Sequence, residues 1–189
     1  VPSRLRSAVR SDDDLGGVLA ARHLLESGHR RLAFAGWRRD ERFAGATRAA
    51  VQGGGSLNWM GTERDRISDG LAVGMHLSSL DADTRPTAVF CANDLIAVGL
   101  VHAVTRVGLR IPDDLAVVGF DDTELASAAS AVELTSVHQP AAAIGRAAVG
   151  VVLDEMVDRT RERRDVVFAP ELVVRESTTV RAAAHRSES

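Results

Sequence analysis

Apolar residues in this chain come in short continuous runs separated by longer amphipathic stretches, the pattern of doubly buried strands alternating with helices. LAFAG (Leu32 to Gly36), TAVFCA (Thr87 to Ala92) and LAVVGF (Leu115 to Phe120) are three such runs, and Leu57 to Met60 is a weaker one. Between them, Asp12-Asp13-Asp14 supplies cap and first-turn carboxylates for a helix running to about Ser27, stopped by Gly28. Glu41 to about Gln52 reads as a helix ended by the loop Gly53-Gly54-Gly55. Ser68 to about Leu80 is the next helix, with Leu71, Met75 and Leu77 as its expected core face. Asn93 is placed to cap a helix to Val107, which Gly108 ends before a turn at Ile111-Pro112. A βαβ series of this kind predicts an α/β fold with a mostly parallel, doubly wound sheet and helices on both faces.

The last third is patterned differently. Thr135 to Val137 reads as a short strand, and Pro140 opens a long helix to about Arg159. Ile144, Ala148, Val151, Val152 and Met156 give that helix an apolar face that needs a cover. Val166 to Phe168 and Leu172 to Val174 read as final strands around Pro170, and Ala182 to Ser189 as a disordered tail.

Polar residues fall where such a sheet binds ligands. Asn93-Asp94 follows the strand at 87–92 and Asp121-Asp122 the strand at 115–120, so these side chains belong to the crevice at the carboxyl ends of the strands. Composition narrows the chemistry. The chain has 189 residues and a net charge of -3, with no lysine and no basic footprint for nucleic acid. A chain this size buries about 70% of its extended surface and needs no disulfide or metal to fold. Cys91 is the only cysteine and sits inside a predicted strand, an inert core thiol. No apolar run approaches the about 20 residues that cross a bilayer, and VPSRLRSAVRSDDD has no signal-peptide core, so a cytoplasmic protein without membrane contact is expected. The six histidines lack metal-ligand spacing, and there is no GxSxG elbow, P-loop or GxGxxG after a strand. A non-enzymatic chain without metal or cofactor follows. The run RTRERR, Arg159 to Arg164, reads as charge complementing a helix C-terminus rather than as a nucleic-acid patch.

From Asp12 to Thr179 the chain resembles the effector-binding core of lac repressor family transcription regulators, whose fold is that of periplasmic sugar-binding proteins. The motifs that carry the resemblance are DDDLGG (12–17), HLLESGHRRLAFAG (23–36), RFAG (42–45), PTAVFCANDLIAVGL (86–100), GLRIPDDLAVVGFDDTELA (108–126), LTSVHQP (134–140) and PELVVRESTT (170–179). The resemblance implies two α/β subdomains that clamp a small effector, a sugar or nucleobase, and a homodimer that reaches operator DNA through an N-terminal helix-turn-helix not contained in this chain. It assigns residues 10–136 and 170–179 to the C-terminal subdomain. Residues 138–168 become a return segment of the other subdomain, most of which would lie ahead of Val1, and 181–189 a tail. Uncovering the apolar face at 140–159 would cost on the order of 25 cal/mol per Å², so poor solubility or association of the isolated chain is expected.

Carried over residue by residue, the effector contacts implied are Arg42, Asn93, Asp121 and Gln139. A planar donor fork, a double acceptor and amides that do both suit vicinal hydroxyls. Each also has a plain structural reading: Asn93 as a helix cap, Asp121 as the holder of its turn, Arg42 as a solvated helix residue, Gln139 as an extended residue before proline. Asp122 reads as structural. Two departures from the family pattern bear on the pocket: the loop from Gly36 to Arg42 is short, which displaces Trp37 and Arg38, and Asp65 or Arg66 stands where an aromatic often stacks on the effector. Trp59 could replace that aromatic, but its place in a strand assigns it to the core. A transport-type sugar-binding protein and a truncated family remnant are the competing readings.

Overall fold

The structure, a computed structural model, describes residues 7–158 and 164–179. Six strands form one sheet in the order β3-β2-β4-β5-β6-β8, comprising β2 (Arg31–Gly36), β3 (Ser56–Gly61), β4 (Ala88–Cys91), β5 (Ala116–Asp121), β6 (Thr135–His138) and β8 (Glu171–Val173). All neighbours are parallel except β8, which runs antiparallel to β6. The chain passes from β2 outward to β3 and then back to the other side of β2 for β4. The strand order therefore reverses between β2 and β4, and their carboxyl ends open the crevice where ligands bind in such sheets.

The helices α1 (Asp13–Glu26), α2 (Glu41–Gln52), α3 (Ile67–Ser78) and α4 (Asp94–Arg106) flank this sheet, and the short α5 (Glu124–Ala129) lies against α4. Asp12 accepts the Leu15 N–H at 2.9 Å and opens α1, Asp40 accepts the Arg42 N–H at 2.9 Å and opens α2, and Asn93 accepts the Ile96 N–H at 2.9 Å and opens α4. The core is centred on Phe34, Phe90 and Phe120, one from each of β2, β4 and β5, with successive ring centroids 5.3 and 6.3 Å apart. Cys91 is buried in β4, where desolvation pushes its thiol well above the ordinary range.

Close helix packing brings two parts of the site together. A Cβ on Gly17 of α1 would stand 2.0 Å from the Arg42 carbonyl, and one on Gly45 of α2 would stand 2.0 Å from the Asp14 carbonyl. Only glycine at both positions allows the first turns of α1 and α2 to touch.

A second, two-stranded sheet pairs β1 (Ala8–Ser11) in parallel with β7 (Asp165–Phe168), and the long α6 (Ala141–Val157) lies beside it. The strand β1, the helix α5 and a short 3₁₀ turn at Glu176–Thr178 are elements that the hydrophobic pattern does not predict. None of the residues of α6 is buried; Val152 and Met156 are 57% and 72% exposed.

Two core expectations are corrected. On α3, Leu71 and Met75 are exposed, while Gly70, Val73, Gly74 and Leu77 form the buried face. The helix packs on α4 through its glycines, a Cβ on Gly70 standing 2.0 Å from the Ile96 carbonyl, so the smallest residues and not the bulkiest mark the contact. Trp59 is 43% exposed, because β3 is an edge strand with one neighbour. Its indole N–H donates to the Gly36 carbonyl at 2.9 Å, and the Arg38 guanidinium lies 5.7 Å from its ring. The tail at 181–189 and all of RTRERR but Arg164 lie outside the described residues; the Arg164 guanidinium pairs with Asp154 at 3.3 Å, on α6.

Candidate ligand-binding site

Arg42 occupies the first turn of α2, directly beyond β2, and spans the point where the strand order reverses. Its Nη1 donates to the Ala92 carbonyl beyond β4 at 2.5 Å, and its Nε donates to Asp40 at 2.8 Å and lies 4.0 Å from Asp13. The guanidinium is set over the Phe120 ring, 4.8 Å from its centroid, and Phe120 is fully buried beneath it. Burial alone would pull the Arg42 pKa down; the hydrogen bond and charge of Asp40, with Asp13 and Asp121 around it, outweigh that and raise it.

Asp121 ends β5 and projects into the same place. Its Oδ1 accepts from the Gln139 amide at 2.6 Å, and burial raises its pKa to about 6, with Asp94 and Asp13 pushing the same way and Gln139 and Arg42 opposing. Gln139 follows β6, where the chain leaves the six-stranded sheet for α6. Arg42, Asp121 and Gln139 thus converge from the ends of three elements onto one crevice.

Asn93 is differently employed. Its Oδ1 caps α4, and its Nδ2 donates to the Asp65 carbonyl at 3.0 Å. Asp65 itself has a φ of 53° and bonds Thr62. Asn93 therefore ties the loop before α3 to the start of α4.

Two residues join the site that sequence reasoning does not place there, and a third holds the neighbouring Asp122. Asp13, on sequence only a first-turn carboxylate, faces Arg42; burial raises its pKa, opposed by Arg42. Asp40 holds the guanidinium. Arg175 reaches Asp122 at 2.7 Å, and His138 Nδ1 lies 3.3 Å from the same carboxylate, so Asp122 is held as a structural residue. The DDD cluster before a helix is the available signal for Asp13; nothing in the spacing points to Arg175, some fifty positions away.

The site offers a fixed cation lying over Phe120, double acceptors and an amide. It can hold hydroxyl groups in both donor and acceptor roles. Among the described residues no group of His, Cys, Asp and Glu is placed to hold a metal ion, and no helix is long and apolar enough to cross a membrane.

Comparison with known proteins identifies the family and the fold. Residues 21–178 match the model of the periplasmic binding protein-like domain family. The HTH-type transcriptional repressor PurR of Aliivibrio fischeri (strain MJ11) is 35% identical over 169 residues, which are 86% of this chain and 50% of that protein. The chain spans about half the length of the curated relatives it matches. Among solved structures, a complex of the transcriptional regulator CelR with cellobiose aligns with a TM-score of 0.81 and 30% identity, covering 94% of this chain and 55% of that one. A LacI family transcriptional regulator from Enterococcus faecium with bound ribose aligns with a TM-score of 0.82 and 26% identity, covering 90% of this chain and 65% of that one. This chain belongs to the periplasmic binding protein-like domain family, in the form that LacI-family transcription regulators carry as their effector-binding core.

Proposed function

We propose that the crevice above Phe120 binds a polyhydroxylated effector, a sugar, without transforming it. The observation that carries this reading is the convergence of Arg42, Asp121 and Gln139 at the point where the strand order reverses. Asp121 accepts two effector hydroxyls, Arg42 donates to ring or hydroxyl oxygens, and Gln139 does either; Asn93 joins them when its Nδ2 gives up the Asp65 carbonyl for an effector oxygen. Solved relatives with bound ribose and cellobiose support the sugar class.

Residues 140–168 together with β1 are read as part of a second subdomain, joined to the six-stranded sheet through Ser11-Asp12, Gln139-Pro140 and Ala169-Pro170. Relative to the division expected from sequence, His138 stays with the sheet through β6, and Arg10 and Ser11 leave it through the β1–β7 pairing. Sugar binding then favours the closed arrangement of the two subdomains. In the full-length protein, a cytoplasmic homodimer with a helix-turn-helix, that closure sets the affinity for operator DNA. Titration calorimetry of the full-length protein with ribose, glucose and cellobiose is the test. Heat of binding that disappears in Asp121→Ala supports the assignment; binding undiminished in that variant removes Asp121, and with it the site, from the reading. The 189-residue chain by itself is expected to bind these sugars weakly or not at all, and a micromolar dissociation constant for it would overturn the two-subdomain account.

A further inference from the structure

Asp94 is buried at the start of α4 without being needed there. The cap of that helix is Asn93, which serves the Ile96 N–H. The Asp94 carboxylate turns instead beneath the end of β5, into space that Gly119 leaves open: a Cβ at 119 would stand 2.3 Å from Asp94 Oδ1. Its oxygens divide the turn after β5 between them. Oδ2 accepts the Thr123 N–H at 2.8 Å, and Oδ1 accepts the Ser136 hydroxyl at 2.7 Å. Ser136 Oγ accepts the Asp122 N–H at 3.2 Å in its turn. The two peptide N–H groups that follow Asp121 therefore both end on Asp94, one directly and one through Ser136.

What they hold is an unfavourable backbone. Asp121 has a φ of 101° and Asp122 a φ of 55°; the second lies in the left-handed well that Asp tolerates better than most residues, but the first lies well outside it, a conformation kept only when the surroundings hold it. In this conformation the Asp121 carboxylate meets the Gln139 amide and lies in the field of Arg42. A buried carboxylate held by neutral donors is costly to keep, and here it is kept directly under the turn that carries a site residue.

We propose that Asp94 is a positioning residue for the effector site: through Thr123 and Ser136 it fixes the left-handed turn that presents Asp121 to Arg42 and Gln139. The proposal rests on the reading of the crevice as a sugar site, and its test separates the two. Asp94→Asn and Ser136→Ala are made in the full-length protein beside a control, Ser177→Ala. Ser177 bridges β5 and β6 near their other ends, accepting the Thr135 N–H at 2.8 Å and donating to the Val117 carbonyl at 2.6 Å, so its loss lowers stability without touching the turn. Each protein is titrated with ribose, glucose and cellobiose, its melting temperature is measured, and amide hydrogen exchange is followed at Asp122 and Thr123. Asp94→Asn is expected to weaken binding by about tenfold or more and to speed exchange at both amides, with Ser136→Ala following in the same direction. Ser177→Ala is expected to melt earlier while keeping its affinity within about twofold. Wild-type affinity in Asp94→Asn, or an affinity loss that tracks melting temperature across all three variants, overturns the proposal. If no sugar binds the wild type, the sugar reading fails while the exchange data still decide the positioning claim, unchanged protection at both amides refuting it. Should Asp94→Asn not fold, the affinity and exchange of Ser136→Ala decide the proposal in the same way.

Discussion

The residues of β4 are all buried, and not one residue of α6 is. β4 carries no charge and α6 carries Arg146, Asp154 and Glu155, but Ile144, Ala148, Val151, Val152 and Met156 still give α6 a face as apolar as a core strand, so the apolar pattern does not separate them. Neighbours do. β4 lies between β2 and β5 with helices across its faces, whereas α6 has beside it chiefly the two-stranded β1–β7 pair, which is too small to bury a helix face. An apolar face states a demand for cover, and only topology says whether the demand is met within the same stretch of chain.

The sharpest way to test this contrast is to remove the same kind of group from each side of it. Phe90→Ala takes away the middle ring of the Phe34–Phe90–Phe120 row and is expected to cost about 3–5 kcal/mol, read from urea unfolding. A loss under about 1 kcal/mol would mean that the six-stranded sheet is not the stability core. Second in size is Asp121→Ala, expected to lose on the order of 2 kcal/mol of sugar affinity in the full-length protein, because it leaves effector hydroxyls and the Gln139 amide unpaired. Calorimetry on that variant checks the number.

The third effect follows from the raised pKa of Asp121, about 6 against an ordinary 3.8. A carboxyl whose pKa is raised by burial favours the folded state while it is protonated. That contribution is therefore present below pH 3.8 and declines as pH rises through about 6. Sugar affinity should move the opposite way, rising from about pH 5 to about pH 7, because only the carboxylate accepts two hydroxyl hydrogens. A carbon-detected titration of the Asp121 carboxyl together with calorimetry across that range checks both signs, and a midpoint near the ordinary 3.8 would refute them. The smallest effect lies on α6. Val152→Gln with Met156→Gln should change the unfolding free energy by no more than about 0.5 kcal/mol, while reducing hydrophobic-dye binding and association of the 189-residue chain. A monomeric, dye-negative wild-type chain would remove the case for an uncovered face.

The helix and strand order is legible wherever hydrophobic period and caps agree: α2 runs over the residues that Glu41, Gln52 and the following glycines delimit, and Asp12 and Asn93 cap the helices that their positions predict. Core faces are less so. On α3 the contact is made by Gly70 and Gly74, which carry no hydrophobic signal, and on β3 the edge position exposes Trp59 despite its bulk. β1 escapes the pattern because AVRS is short and polar, and its partner β7 lies over 150 positions away in sequence. For the candidate site, the carboxyl-end rule points to Asn93 and Asp121 and the family motifs to Arg42 and Gln139; the structure brings Arg42, Asp121 and Gln139 together and engages Asn93 with the start of α4 and the Asp65 carbonyl. The roles of Asp13 and Arg175 depend on through-space pairing with distant partners, which no local pattern encodes, whereas Asp40 holds a partner only two positions along the chain.

The placement of the two tryptophans has an optical consequence. The chain has no tyrosine, so Trp37 and Trp59 are its whole near-ultraviolet signal apart from phenylalanine. Both are half exposed, Trp37 directly beyond the carboxyl end of β2 and Trp59 hydrogen-bonded to that strand's last residue. Emission from the native protein should already lie toward the red, leaving little room for the usual shift on denaturation. The same two indoles stand beside the strand that leads into Arg42, so their fluorescence is a better instrument for an arriving effector than for the loss of the core.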